Sequence, residues 1–214
     1  MNEPLQFDWM IFDVDGTLAD TLPLCLAAYR HAFSLHGYPD LDDNQITELF
    51  GPNDEGIIRG VVGDEWEACF DDFFAYYRNE HDALVRPLPG IRELLAELAQ
   101  RRLRLTVLTE KAEATARHSL ERLGLLEFFD DVVCGSATGA VKHEQLAKML
   151  VASRIPGERV AYVGDQPIDV SAAHAAGVTA VGAAWANGSS ADALRAAGAD
   201  VVALRPEDLL SRLP

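Results

Sequence analysis

Lysine is scarce in this chain, so the positions of the few lysines carry information. Only Lys111, Lys142 and Lys148 occur among 214 residues, and the formal net charge is −16. An acidic protein is a poor partner for nucleic acid or for an anionic membrane surface, because both carry negative charge themselves. We therefore expect neither partner. A site for an anion would need local positive charge, which these few lysines can supply.

Cysteine is also scarce, and long apolar runs are missing. Cys25, Cys69 and Cys134 are widely separated and form no CxxC pair, which argues against a disulfide framework or a zinc site. No stretch approaches the roughly 20 apolar residues of a membrane span. Segment 1–9 is acidic and mixed, unlike a secretory signal, so we expect a cytoplasmic protein.

The sequence does contain an alternation of strand patterns and helix patterns. Helix periodicity begins near Pro89 and recurs at 112–123, 143–153 and 167–176. Short apolar runs predict buried strands at 9–12, 103–108, 131–134, 159–163, 179–181 and 201–203. This alternation predicts an α/β fold, a Rossmann-like parallel sheet with helices on both faces.

One segment, 20–85, interrupts the alternation. It shows helical periodicity, a Gly51-Pro52 break and no convincing strand, and a stiff Pro-rich connector follows at 86–90. We predict an all-helical cap at 20–85, inserted into a discontinuous core domain formed by 1–19 and 86–214. A helical cap over catalytic loops excludes water and selects substrate.

Two carboxylates, Asp13 and Asp15, follow the first predicted strand in the sequence Asp-Val-Asp-Gly-Thr. Ligands of parallel sheets bind beyond the carboxyl ends of the strands. Because the like charges repel, a divalent cation that prefers hard oxygen ligands, such as Mg²⁺, is the natural compensation. Gly16 lets the backbone approach a ligand closely. A solvated acidic turn is the alternative interpretation.

A second acidic motif, Gly164-Asp165-Gln166-Pro167-Ile168-Asp169, follows the strand predicted at 159–163. Pro167 is typical of a first helical position, which places Asp169 in the first turn of a helix. Alone, Asp165 and Asp169 could be capping residues. Together with the first motif, they predict four carboxylates at one edge of the sheet.

Two further loops supply groups for an anion. Thr109, Glu110 and Lys111 end the second core strand, where a hydroxyl and backbone N–H groups suit an anionic oxygen. Lys142 follows Gly139-Ala140-Val141 and could neutralise both a phosphate and an aspartate. The alternative for Lys142 is a surface lysine on an amphipathic helix.

The order of these motifs resembles the haloacid-dehalogenase-like (HAD) hydrolase superfamily, in the helical-cap subgroup that includes phosphoglycolate phosphatase. Residues 13–17 match the family's first motif, and Gly164-Asp165 with Asp169 matches its last. Thr109 stands at the second motif and Lys142 at the third. The resemblance covers nearly the whole chain.

The resemblance implies an enzyme that hydrolyses a small phosphate monoester: a phosphoglycolate-like compound, a sugar phosphate or a nucleotide. Asp13 would be the nucleophile, and Asp15 would protonate the leaving alcohol and then activate water. The implied Mg²⁺ ligands are the Asp13 carboxylate, the Asp15 backbone carbonyl, Asp165 and Asp169. The implied phosphate-binding residues are Gly16, Thr17, Thr109, the Glu110 amide and Lys142.

Two positions, Glu110 and His143, distinguish this chain from many relatives, and His143 follows Lys142 where relatives often have proline. Glu110 stands where they have an uncharged residue, and its carboxylate would repel a phosphate unless it points away or pairs with Lys111. Arg59 follows the turn at 50–53, so we predict a contact between Arg59 and substrate. The chain could act as a monomer or as a homodimer.

Two alternative functions remain open at this point. A sugar-phosphate mutase of the same fold would use a cap histidine as acid and base, but that position falls on Cys25. A degenerate phosphate-binding protein without turnover is the other alternative, and Glu110 is its only support.

Overall fold

The computed structural model describes residues 6–211 and contains eight strands and ten α-helices in that range. In chain order they are β1 (Trp9–Phe12), β2 (Ala19–Asp20), α1 (Leu22–Leu35), α2 (Asp43–Thr47), α3 (Asp54–Val62), α4 (Trp66–Leu84), β3 (Arg86–Pro87), α5 (Ile91–Gln100), β4 (Arg104–Leu108), α6 (Glu113–Arg122), β5 (Asp131–Val133), α7 (Lys142–Ser153), β6 (Val160–Gly164), α8 (Pro167–Ala176), β7 (Thr179–Ala183), α9 (Ala191–Ala196), β8 (Val201–Ala203) and α10 (Pro206–Leu210).

Six of these strands form one parallel sheet in the order β5-β4-β1-β6-β7-β8. Each predicted strand is present, with ends that differ by at most two residues. β1 lies at the centre because it pairs with β4 on one side and β6 on the other. The predicted α/β fold with a parallel sheet is confirmed.

Both faces of the sheet are covered, which explains why β1 is apolar throughout. Met10 and Phe12 pack in one hydrophobic cluster with Leu94, Leu95 and other residues of α5. The alternate residues of β1, Trp9 and Ile11, belong to a second cluster that includes residues of α8. A strand in contact with apolar layers on both sides gains stability from every side chain, so no polar residue interrupts it.

Segment 20–85 is helical between its two short flanking strands. β2 and β3 form a two-stranded antiparallel ribbon, which brings the beginning and the end of the segment together. The four helices between them share a hydrophobic cluster of their own, which includes Tyr29, Phe33 and Phe73. The predicted helical content of 20–85 therefore agrees with the structure, and its division from the rest as a separate domain stays a prediction.

Buried polar contacts join the helical segment to the sheet part of the molecule. The Asp54 carboxylate accepts hydrogen bonds from the Tyr29 hydroxyl (2.7 Å), the Ala112 amide (2.9 Å) and the Thr115 hydroxyl (2.5 Å). The Ala112 amide and Thr115 lie at the start of α6, where an anion is favoured by the unpaired N–H groups of a helix terminus. Asp54 thus connects α1, α3 and α6 at one point.

Among residues 6–211, no helix is both long enough and apolar enough to cross a membrane. The cytoplasmic location and the absence of a membrane partner stay predictions.

Leu98 tests the packing of α5 against the sheet. Its side chain is completely buried in the cluster that contains Met10 and Phe12. We expect Leu98→Ala to lower the free energy of unfolding by about 2–5 kcal/mol, because it leaves a cavity in a packed core. Urea denaturation measures the change. Val151→Ala, at an 82% exposed position, is the control and should change stability by less than about 0.5 kcal/mol.

Candidate active site

The carboxyl ends of the three central strands bring the predicted motifs to one edge of the sheet. In the strand register, Phe12 of β1 is aligned with Val107 of β4 and with Val163 of β6. The residues that follow these strands therefore meet at nearly the same level. These residues are Asp13, Thr109 and Asp165.

Three of the predicted carboxylates form a buried group. Oxygen atoms of Asp13, Asp165 and Asp169 lie within 4.8 Å of one another. The Lys142 ammonium donates hydrogen bonds to Asp13 Oδ2 (2.6 Å) and Asp169 Oδ1 (2.8 Å). One ammonium among three carboxylates leaves an excess of negative charge, so the donor set suits a hard divalent cation such as Mg²⁺.

Burial changes the ionisation of this group. Loss of solvent raises the pKa of Asp13 to about 6, and the Lys142 charge opposes this rise. The pKa of Asp165 is raised to about 7 by burial and then by the negative charges of Asp13 and Asp169. A cation held between these side chains would favour their ionised forms, because an opposite charge nearby lowers the pKa of a carboxyl group.

Gly16 is in direct contact with the carboxylate group. Its backbone has a φ of +70°, and a Cβ atom at this position would lie 2.4 Å from Asp165 Oδ2. Any side chain would therefore collide with a predicted metal ligand. The structure thus gives a steric reason for glycine at this position, beyond the close backbone approach that the sequence suggested.

Asp15 faces a different environment from Asp13. Its carboxylate accepts a hydrogen bond from the Thr21 hydroxyl, and its Oδ1 lies 3.3 Å from the Lys111 ammonium. The Asp15 side chain is 37% exposed, so it is only partly buried. Burial raises the pKa of Asp15, and the Lys111 charge opposes the rise. Its carboxylate lies outside the three-carboxylate group, so only the Asp15 backbone carbonyl remains a predicted metal ligand.

Lys111 is a site residue to which the sequence analysis gave no role of its own. Its buried ammonium donates to Cys25 Sγ at 3.1 Å and lies 5.1 Å from the centre of the Tyr77 ring. Cys25 and Tyr77 belong to the helical segment, so Lys111 connects that segment to Asp15. The scarcity of lysine was the signal that could have identified Lys111.

The Glu110 carboxylate does not pair with Lys111. Glu110 Oε1 accepts hydrogen bonds from the backbone N–H groups of Val141 (2.9 Å) and Lys142 (3.0 Å), at the start of α7. A negative charge is favoured there by the helix dipole. Glu110 therefore supports the helix turn from which Lys142 reaches Asp13, and this contact accounts for an acid beside a predicted phosphate site.

A cavity of about 370 Å³ opens between the strand ends and the helical segment. Its lining includes the carboxylates Asp13, Asp15 and Asp165 and the ammonium group of Lys111. The other lining residues are Gly16, Asp20, Leu22, Cys25, Tyr29, Thr47, Phe50, Gly51, Pro52, Asp54, Ile57, Glu110, Gln166, Asn187 and Gly188. The structure thus places residues of both the motifs and the helical segment around one space.

Four predicted substrate-binding residues do not line this cavity. One is Lys142, whose ammonium is hydrogen-bonded to Asp13 and Asp169. Thr17 and Thr109 are buried, and the Thr109 hydroxyl accepts a hydrogen bond from the Lys111 amide at 3.3 Å. The predicted substrate contact of Arg59 needs correction, because its exposed guanidinium lies over the Trp66 ring, 4.2 Å from the ring centre. The turn at 50–53 does reach the cavity, but α3 directs Arg59 away from it.

Comparison with known proteins identifies the family. The family described as haloacid dehalogenase-like hydrolase matches residues 10–183, more than half of the chain. The chain belongs to this family. The resemblance to this family that was inferred from the motifs is confirmed.

Individual relatives differ in name and in coverage. A tyrosine-protein kinase PtkA from Mycobacterium tuberculosis is 34% identical over 84% of this chain, which spans only 62% of that protein. A phosphorylated carbohydrates phosphatase from Thermotoga maritima is 30% identical, over 95% of this chain and 97% of the relative. The solved structure of a predicted phosphoglycolate phosphatase from Haemophilus somnus 129pt superposes with a TM-score of 0.80 over 96% and 97% of the chains. At 21% identity, it shows the fold alone.

Glu110 provides a test of the contact at the start of α7. We expect Glu110→Ala to lower the free energy of unfolding by about 1–2 kcal/mol, because two backbone N–H groups lose their acceptor. Glu110→Gln keeps an acceptor oxygen and should lose less. Urea denaturation of the three proteins measures the difference, and equal stability of the alanine variant and the original chain would contradict the contact.

Proposed function

We propose that this protein is a Mg²⁺-dependent phosphatase that hydrolyses a small phosphate monoester through an aspartyl-phosphate on Asp13. The observation that carries the proposal is the buried group of Asp13, Asp165 and Asp169 with Lys142 bound to two of them. Membership of the hydrolase family and the name of the full-length Thermotoga relative support it.

The Mg²⁺ ion would be held by the carboxylates of Asp13, Asp165 and Asp169 together with the Asp15 backbone carbonyl. When bound, it supplies positive charge that offsets the charge of the phosphate and of its attacking and leaving oxygens. Side chains and backbone groups of the protein itself perform every other role in the proposed mechanism.

Asp13 attacks the phosphorus atom with one carboxylate oxygen, which forms a P–O bond as the ester P–O bond breaks. Lys142 fixes the orientation of that carboxylate through its 2.6 Å hydrogen bond, and its charge also stabilises the equatorial phosphate oxygens. Asp15 donates its proton to the departing oxygen, so the leaving group is released as a neutral alcohol.

The second half of the reaction uses Asp15 as a base. Ionised Asp15 takes a proton from a water molecule, whose oxygen attacks phosphorus and releases inorganic phosphate from Asp13. Burial raises the pKa of Asp15, and a higher pKa favours the protonated form from which the carboxyl group donates. Backbone groups at Gly16, Thr17 and Glu110, with the Thr109 hydroxyl, complete the proposed phosphate site.

Residues 20–85 act as a cap in this proposal. They provide one wall of the cavity, and the ribbon of β2 and β3 joins them to the strand that carries Asp13. Enclosure by the cap excludes bulk water and strengthens the charge interactions at the phosphate. Monomeric and homodimeric states both remain compatible with this role.

The structure does not favour the mutase alternative. Cys25 stands at the position of the acid–base histidine, and burial raises the pKa of its thiol to about 12. A thiol with this pKa stays protonated near neutral pH and cannot serve as the base. The degenerate-binder alternative rested on Glu110, and the bonds between its carboxylate and the α7 backbone remove that support. The mycobacterial relative is named as a kinase, and a kinase and the proposed phosphatase have only phosphoryl transfer in common.

Asp13→Asn tests the nucleophile directly. The substitution keeps the shape of the side chain but removes its nucleophilic charge, so we expect turnover to fall by about 10³-fold or more. Phosphate release from an aryl phosphate and from a panel of sugar phosphates, nucleotides and phosphoglycolate, with Mg²⁺ or with chelator, measures it. Asp71→Asn, on the exposed face of α4, is the matched control and should leave the rate unchanged. Appreciable turnover by Asp13→Asn would exclude the proposed intermediate.

A glycine pair separates steric collision from backbone strain. Gly16 and Gly37 have similar φ values, +70° and +75°, but a Cβ atom at Gly37 meets nothing within 4 Å. We expect Gly37→Ala to lose about 1–2 kcal/mol of stability through backbone strain alone, and Gly16→Ala to lose more because of the added collision. Only Gly16→Ala should lose Mg²⁺-dependent turnover, because only it displaces Asp165. Similar activity in the two variants would show that the contact between Gly16 and Asp165 is unimportant.

A further inference from the structure

Negatively charged side chains outnumber positively charged ones around the cavity. Six of its lining residues are acidic: Asp13, Asp15, Asp20, Asp54, Glu110 and Asp165. Among the described residues that line it, Lys111 is the sole lysine, and none is an arginine. Even with a divalent cation at the three-carboxylate group, the remainder of the cavity has more negative than positive charge.

The two lysines close to the cavity already have partners. Lys142 donates to Asp13 and Asp169, and Lys111 lies between Asp15 and Cys25. Arg59 lies outside, over Trp66. After the phosphate is bound, a second anionic group on the same substrate would therefore find no free cation. Burial of an unpaired charge is unfavourable, so such a substrate binds poorly.

The wall formed by the helical segment offers carbon surface and hydrogen-bond acceptors. The rings of Tyr29 and Phe50 lie 6.4 Å apart, and Leu22 and Ile57 add apolar surface. Asp20 also lines the cavity, and within residues 6–211 its carboxylate has no hydrogen-bond or ion-pair partner. An unpaired carboxylate in the wall favours a ligand that brings its own hydroxyl or ammonium hydrogens.

We propose that the enzyme selects phosphate monoesters of small alcohols whose leaving group is neutral or cationic, and that it discriminates against leaving groups with a carboxylate or a second phosphate. Polyol phosphates and amino-alcohol phosphates belong to the preferred class, and phosphoglycolate does not. This inference rests on the proposed phosphatase function and specifies the substrate for the same site. The cavity of about 370 Å³ is near the lower end of the roughly 300–1,000 Å³ range of small-molecule sites, which agrees with a small leaving group.

A charge series at constant size tests the proposal. The probes are 2-hydroxyethyl phosphate, phosphoethanolamine and 2-phosphoglycolate, which share a two-carbon skeleton and are respectively neutral, cationic and anionic in the leaving group. Glycerol 3-phosphate and 3-phosphoglycerate form a matched three-carbon pair. We expect kcat/KM for the neutral and cationic esters to exceed that of the carboxylates by about 10- to 100-fold, a discrimination typical of single contacts in a binding pocket.

Asp20→Asn separates selection by the cavity from the intrinsic reactivity of each ester. Intrinsic reactivity cancels when the ratio of kcat/KM for phosphoethanolamine to that for 2-phosphoglycolate is compared between variant and original chain. Removal of one negative charge should lower this ratio several-fold. Asp71→Asn, on the exposed face of α4, is the matched control and should leave the ratio unchanged.

The outcomes distinguish this inference from the function on which it rests. An aryl phosphate without a second charge serves as the reference substrate. If it is hydrolysed and the carboxylates are equal to or better than the neutral esters, the inference is wrong and the proposed function stands. Aryl turnover without turnover of either neutral ester would also overturn it. Failure to hydrolyse any compound, the aryl phosphate included, would overturn the proposed function and this inference with it.

Discussion

Repulsion among three buried carboxylates is the constraint on which the site depends. Asp13, Asp165 and Asp169 come from the ends of two central strands and the first turn of α8, and the fold holds them within 4.8 Å of one another. Lys142 offsets part of this repulsion through two short hydrogen bonds. The start of α7 that carries Lys142 is in turn fixed by Glu110. Glu110 in the loop after β4 therefore fixes the start of α7, and the start of α7 in turn positions the ion pair between Lys142 and Asp13.

The fold was predictable because its signals are local and repeat along the chain. β1 is apolar at every position since both of its faces are covered, and a continuous apolar run is what the sequence shows. Pro167 is the first residue of α8, as predicted, and Gly177 is the C-terminal cap of that helix. The two short strands of the ribbon, β2 and β3, were not predicted, because two residues carry no periodicity and Pro87 is an unusual strand residue.

The candidate site was predictable in its backbone positions and less so in its side-chain directions. A motif at a strand end places Asp13 and Asp165 at the same edge of the sheet through the parallel register alone. The direction of Glu110 depends on the amides of α7, which are about 30 residues away in sequence. Lys111 depends likewise on a distant partner, Cys25, and the direction of Arg59 depends on Trp66 at the start of the next helix. Contacts of this kind leave no pattern in the sequence near the residue concerned.

The position of Lys111 links the wall of the cavity to the proposed proton transfer by Asp15. The same ammonium faces Asp15 and Cys25, so its location is set by the core loop on one side and by helix α1 on the other. A displacement of α1 would change the dielectric environment of this lysine and, through it, the acidity of Asp15, the proposed proton donor to the leaving oxygen. The packing of α1 and the acidity of Asp15 are then coupled through one ammonium group.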